Sequence, residues 1–306
     1  MGKIAFLFSG QGAQYSGMGR SLYQCSAAAK ELFDRAEELR PGTKEQCFYG
    51  SAEELRETKN TQPCVYLTDM AAALALREAG VSPSVCAGFS LGEIAALSFG
   101  GAFSAEVGFQ IVMRRGLLMQ QAAQSCDTAM AAVMKLTPKQ VEEVCAGYPH
   151  VYPVNYNAPT QTVVSGSRVE LEMLKKELQE LSCRVVDLPV SAAFHSPYMQ
   201  EAADRFRQEL QGFSLQAPVM PVYANATARP YETNLIEMMT EQIKSPVRWT
   251  DSVIAMKEAG VTDFIEVGPG KTLYGLVKKI VPGVRIYHVE DEETLKETVE
   301  AVKENA

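Results

Sequence analysis

The run Gly88-Phe89-Ser90-Leu91-Gly92 carries the pattern G-x-S-x-G between an apolar stretch, Ser84 to Ala87, and a helix-forming one, Glu93 to Phe99. A serine on a tight strand-to-helix turn exposes its hydroxyl and lies beside the unpaired N–H groups of a helix start. Such groups receive developing negative charge. Two flanking glycines allow a turn of that tightness. The pattern has two readings, a nucleophile or an ordinary glycine-rich turn, and both predict an α/β chain here.

The remaining chain supports that class. Ile4 to Phe8 is a continuous apolar run, as in a strand buried on both faces. Ser9-Gly10-Gln11-Gly12 follows; Tyr15 stands where a dinucleotide fingerprint needs its third glycine, so that reading fails. A glycine-rich loop after a buried strand still offers backbone N–H groups to an anion. Helices are predicted over Leu22 to Leu39, Ala52 to Leu55 and Val65 to Ala79, with a break at Gln62-Pro63, and another begins at the Ser104 cap. From residue 128 the order changes to β-α-β-β-α-β, with a helix Val169 to Leu181 and a last strand Arg184 to Val190. That is the ferredoxin-like unit. The expected architecture is a hydrolase-like, mainly parallel α/β core over 1-127 and 193-306, with a ferredoxin-like subdomain over 128-192 inserted in it. Later elements are strands at Pro221 to Ala224, Phe264 to Val267 and Val284 to His288, and a charged helix from Glu290. Gly268-Pro269-Gly270-Lys271-Thr272 is not a P-loop, because Ile265 stands at the required first glycine.

A serine nucleophile needs a base, and the chain has three histidines. His150 lies in a Tyr-Pro-His turn. His288 ends a strand among acidic residues and is expected at the surface. His195 lies between a strand and a helix capped by Ser196-Pro197, among small neighbours, and is the candidate. Asp187 is the nearest acidic residue that could orient it, but it lies in a strand before a proline, so a dyad oriented by a backbone carbonyl fits better. On the helix after Ser104, Val107, Ile111, Arg115 and Leu118 share a face, whereas Arg114 shares one with glutamines. A guanidinium in an apolar stripe needs a partner: either a protein carboxylate in a structural ion pair, or a substrate carboxylate held in a bidentate clamp.

The net charge of −8 argues against a nucleic-acid surface and against an anionic membrane. No apolar run reaches membrane-spanning length, the start is too short for a signal segment, and a cytoplasmic location is expected. Seven cysteines without C-x-x-C spacing suit reduced thiols and give no metal framework.

In combination and order, Gly10-Gln11-Gly12, Gly88 to Glu93, Met113-Arg114-Arg115-Gly116, Val154-Asn155-Tyr156-Asn157, Phe194-His195-Ser196, Pro246-Val247-Arg248-Trp249 and Glu266 to Gly270 resemble the malonyl-CoA:acyl carrier protein transacylase family, nearly end to end. That family includes the acyltransferase domains of fatty acid and polyketide synthases. The resemblance implies Ser90 as nucleophile, His195 as its base and later acid, and Arg115 as holder of the malonyl carboxylate. It implies an oxyanion hole from the N–H groups of Gln11 and Leu91, and an Asn155 that shapes the site. It implies malonyl-CoA and phosphopantetheinylated acyl carrier protein as substrates and partners, with no metal or redox cofactor. Ala193-Phe194-His195 is similar to the ending of malonyl-selective domains, where the phenylalanine crowds an α-methyl group. Three positions depart from the family pattern: Phe89 replaces a histidine, Ser9 a proline, and Arg248 a residue that is often glutamine. The carbonyl of that last residue orients the histidine, and the same is expected of Arg248. The alternatives are an acyltransferase for another acyl-CoA, a serine thioesterase, and a non-catalytic docking subunit of a synthase.

Overall fold

The computed structural model describes residues 2–180, 183–190 and 192–305. Its strands are β1 (Lys3–Phe8), β2 (Val85–Gly88), β3 (Thr128–Met134), β4 (Val151–Ala158), β5 (Gln161–Ser167), β6 (Arg184–Asp187), β7 (Val222–Tyr223), β8 (Val261–Val267) and β9 (Arg285–Val289). They form two sheets. One is five-stranded and parallel throughout, in the order β7-β2-β1-β8-β9. The other is four-stranded and antiparallel, in the order β4-β5-β3-β6.

The central strand shows why the parallel sheet forms. Ile4 to Phe8 are all buried. Ile4, Phe6 and Phe8 pack toward the helices Ala27–Leu39, Thr58–Glu78 and Leu91–Phe99, while Ala5 and Leu7 pack against Trp249, Val253, Leu273 and Val277 on the other face. Alternate side chains thus enter different cores, so an unbroken apolar run is what a doubly covered strand requires. Parallel strands end on the same side, and the loops leaving β1 and β2 therefore meet there.

The antiparallel sheet carries the helices Pro138–Cys145 and Arg168–Glu180 on one face, in the ferredoxin-like order read from the sequence. β4 is also tied to the rest of the molecule. The Val247 N–H donates to the Val154 carbonyl at 2.8 Å, and the Tyr156 N–H to the Val247 carbonyl at 2.9 Å. This places Asn155 beside the parallel sheet.

Several boundaries differ from the sequence reading. The helix expected over Leu22 to Leu39 is two, Arg20–Cys25 and Ala27–Leu39, because Ser26 leaves helical geometry and its hydroxyl accepts the Ala29 N–H. The break expected at Gln62-Pro63 does not occur; one helix runs Thr58–Glu78 through Pro63. The proline removes a single hydrogen bond near the helix start, and an almost wholly buried helix outweighs that loss. The helix Thr43–Tyr49 was not anticipated. The last strand of the antiparallel sheet ends at Asp187, short of Val190. Leu181, the expected end of one helix, and Ser191 lie outside the described residues.

Candidate active site

Ser90 occupies the turn between β2 and the helix Leu91–Phe99, at φ 53° and ψ −101°. A non-glycine residue reaches such a conformation only when its surroundings impose it. The glycines show how. A Cβ on Gly88 would lie 1.9 Å from the Gly92 carbonyl carbon, and one on Gly92 would lie 2.2 Å from the Phe8 carbonyl oxygen. Strand end, helix start and the end of β1 thus touch backbone to backbone. This contact brings the Ser9–Gly12 loop against the serine.

His195 has φ 60° and is 3% exposed. The Ser90 hydroxyl lies 2.7 Å from its Nε2. On the other side Nδ1 lies 2.9 Å from the Gln242 carbonyl. That carbonyl can only accept, so Nδ1 carries the proton and Nε2 is left free to take the serine's. Arg248 therefore does not orient the histidine. It caps the helix Trp249–Glu258, where its carbonyl accepts the Ser252 N–H and hydroxyl, each at 3.0 Å. The carbonyl that orients the ring comes instead from the helix Leu235–Lys244. Asp187 pairs with Lys175 and not with the histidine. Burial, followed by the nearby Arg115 charge, lowers the His195 pKa to about 4, so the ring is neutral at neutral pH.

Arg115 is fully buried. Its guanidinium donates to Gln62 Oε1 and Gln242 Oε1, both at 2.9 Å, and to Ser90 Oγ at 3.2 Å; Nε has no partner. Among the described residues no carboxylate forms an ion pair with it. Glu93, the closest acid by its electrostatic effect, is bound by the Tyr231 hydroxyl and the Asn225 N–H. Burial lowers the Arg115 pKa to about 10, so it remains a cation. Of the two readings left open by the sequence, the internal ion pair is absent. Arg114 instead bonds Glu209 on the exposed side of the helix.

Gln11, Phe89, Asn155, Phe194, Ser90 and His195 line a cleft of about 90 Å³. Gln11, Phe89 and Asn155 also line a neighbouring cleft of about 240 Å³ that reaches Leu273 and Leu276. Gln11 and Phe194 also line one of about 390 Å³, between Glu53–Thr58 and Gln120–Gln124. Two larger clefts thus adjoin the small one that holds the nucleophile, each sharing Gln11 with it. The backbone N–H groups of Gln11 and Leu91 donate to no acceptor among the described residues. Phe89 packs its ring on Trp249 at 5.5 Å between centroids. Asn155 Oδ1 is buried and unpartnered.

The acyl transferase domain model matches residues 5–293 of the chain. The chain belongs to that acyl transferase family. It is 37% identical to the malonyl CoA-acyl carrier protein transacylase of Bacillus subtilis, over 99% of this chain and 98% of that one. The crystal structure of malonyl CoA-acyl carrier protein transacylase from Clostridium perfringens superposes with a TM-score of 0.95, at 40% identity, covering 99% and 98% of the two chains. A malonyl-transacylase solved in complex with its type II PKS acyl-carrier protein gives a TM-score of 0.93, at 31% identity, covering 98% of this chain and 99% of that one.

Beside the residues anticipated from the sequence, this member of the acyl transferase family uses two glutamines that sequence reasoning passed over. Gln242 holds Arg115 through Oε1, the Ser90 carbonyl through Nε2 at 2.6 Å, and His195 through its own carbonyl. A signal existed: Gln242 shares an apolar helix face with Leu235 and Met239, the same anomaly that singled out Arg115. Gln62 gave no such signal beside its proline. His288, expected at the surface, is half-buried, and burial lowers its pKa. Three basic residues near the C-terminal end are each engaged within the protein: Arg285 bonds Asp263, Lys278 lies over the Tyr274 ring, and Lys279 bonds Gln161 at the rim of the 240 Å³ cleft.

Proposed function

We propose that the protein moves a malonyl group from malonyl-CoA to the phosphopantetheine thiol of acyl carrier protein through a malonyl ester of Ser90, in fatty acid or polyketide biosynthesis. The observation that carries this reading is the buried Arg115 cation, within 3.2 Å of the Ser90 hydroxyl and, among the described residues, without a paired carboxylate. Leaving a desolvated guanidinium without an acid is costly, and a substrate carboxylate relieves that cost. An acyl chain anchored there sets its thioester carbon against Oγ.

In the first half-reaction His195 Nε2 takes the Ser90 proton as Oγ attacks the thioester carbon. The oxyanion is placed at the N–H groups of Gln11 and Leu91, and removal of one such donor costs about 100- to 1000-fold in rate. CoA leaves with the proton from His195. In the second half-reaction His195 deprotonates the carrier thiol, whose sulfur attacks the ester carbon, and Nε2 returns the proton to Ser90 Oγ as the acyl–oxygen bond breaks. Each catalytic group serves twice, and the reading needs no metal or redox cofactor. It treats 1-127 with 193-306 as the catalytic unit and 128-192 as a subdomain that brings Asn155 to the cleft. It assigns the protein to the cytoplasm; no helix among the described residues is long and apolar enough to cross a membrane.

The test is intact-mass analysis after mixing with malonyl-CoA. The expected result is a single malonyl adduct, absent in Ser90→Ala and discharged by a carrier thiol. An adduct lost to water alone is the result expected of a thioesterase. No adduct on the wild-type protein overturns the proposal.

A further inference from the structure

Two side chains from other parts of the molecule hold the main-chain turn that carries Ser90: Gln242 bonds the Ser90 carbonyl, and Asn225 clasps the N-terminal side of the turn. Asn225 follows β7. Its Oδ1 accepts the Ser90 N–H at 2.7 Å, and its Nδ2 donates to the Gly88 carbonyl at 2.7 Å. One planar amide therefore spans both sides of the elbow, from the last residue of β2 to the nucleophile itself. Asn225 is 1% exposed, and its main chain is anchored in turn. Its N–H donates to Glu93 Oε2, which lies on the helix that Ser90 starts, and its carbonyl accepts the Arg248 N–H at 2.9 Å. The Tyr231 hydroxyl donates to the other Glu93 oxygen, and the Tyr231 N–H to the Val222 carbonyl at 2.8 Å, which closes the turn from 222 to 231.

We propose that Asn225 is a positioning residue for the transfer reaction, and that its amide holds Ser90 in the strained turn that keeps Oγ on His195. The proposal rests on the acyl-transfer reading for its substrate, though not for its geometry. A serine at φ 53° relaxes toward ordinary conformations once its N–H loses this acceptor, and among the described residues Ser90 N–H has no other. Its Oγ then leaves the 2.7 Å contact with Nε2. The Arg115 contacts, made to Gln62 and Gln242, stay in place. Catalysis and acyl-group binding are thereby separated: loss of the clasp falls on kcat and spares KM. Ser90 N–H, being engaged by Oδ1, is also not an oxyanion donor, which leaves that task to its neighbours.

Asn225→Ala is compared with the wild type after active sites are counted by exhaustive labelling with a serine-directed fluorophosphonate, so that rates refer to competent sites. The expected result is a fall in kcat for malonyl transfer of about 10- to 100-fold, with KM for malonyl-CoA within about twofold. The fluorophosphonate rate falls in parallel. A second variant keeps the test valid where alanine abolishes folding. In Asn225→Asp a protonated side chain reproduces both hydrogen bonds, accepting from Ser90 and donating to Gly88, whereas the carboxylate repels the Gly88 carbonyl and faces Glu93. Its rate relative to wild type therefore rises as pH falls from 8 to 6. A lowered melting temperature with an unchanged rate per competent site overturns the proposal, as does a raised KM with kcat intact or a pH-independent ratio for Asn225→Asp. If the wild type reacts with the fluorophosphonate but takes no acyl group from malonyl-CoA, the acyl-transfer reading fails, and the fluorophosphonate rates still decide the role of Asn225.

Discussion

At the scale of single residues, the site places a cation next to a base. Arg115 and His195 both contact Ser90 Oγ, and the guanidinium charge works against a second positive charge on the imidazole. A base must be neutral to accept a proton. The lowered His195 pKa therefore predicts that kcat/KM holds down to about pH 4, instead of falling through the ordinary histidine value of 6.5. Removing the cation by Arg115→Ala should move this acid limb upward while burial still holds it below 6.5. A pH–rate profile of wild type and variant checks both statements; a limb near 6.5 in the wild type would contradict them. The same variant separates the arginine's binding role from its electrostatic one. Malonyl transfer should fall about 100-fold or more, the scale of losing a buried charged partner. Acetyl transfer, which offers no carboxylate, should change less than tenfold. Equal losses for the two acyl groups would count against the clamp.

At the scale of elements, the strand-turn-helix at Ser90 owes its shape to packing as well as to its own sequence. Gly92 lies against the carbonyls of Phe8 and Ser9, so a methyl group there meets backbone that cannot swing aside. Gly92→Ala should destabilise the fold by about 1–3 kcal/mol, read as a lower urea midpoint, and should slow Ser90 acylation as well. Unchanged stability would mean that the close approach of β1 is not needed. The element scale is also where sequence reading was least secure. The sequence places a break at Pro63 and none at Ser26, yet Ser26 splits a helix and Pro63 lies inside one. Local propensity amounts to a few kcal/mol at most, and the burial of the whole Thr58–Glu78 helix exceeds it.

At the scale of the whole molecule, several acids are buried without cationic partners. Burial raises Glu93 and Glu266 to about 7, and burial together with Glu266 raises Asp69 well above its ordinary value. Each holds a proton in the folded state at pH values where the unfolded chain has released it. Their stabilising contribution is complete below about pH 4.5 and is lost as pH rises through 7. His195 has the opposite sign: its folded pKa near 4 lies below the unfolded 6.5, so its contribution grows as pH rises between them. Above pH 6.5 only the acids act, and the melting temperature should decline from pH 6.5 to 8. Glu93→Gln removes one of them. Its decline over that interval should be shallower than that of the wild type, as measured by thermal melts; an equal or steeper slope would show that Glu93 is ionised throughout.

What the amino-acid sequence determined by itself was whatever rests on local pattern. Apolar runs and turn residues settled the α/β class and the βαββαβ order of the second sheet. The G-x-S-x-G turn, the single histidine on a strand-end loop and the arginine in an apolar stripe named the three groups that meet at Ser90. Tertiary structure alone decided which groups hold them. The carbonyl that orients His195 belongs to Gln242 and not to Arg248. Every residue has a carbonyl, so residue type carries no information about which one arrives. Asn225 clasps an elbow 135 positions earlier in the chain, and Gln62 reaches Arg115 across 53. Those contacts follow from the way helices and strands stack, and the pairings exist only once the two cores have closed on the parallel sheet.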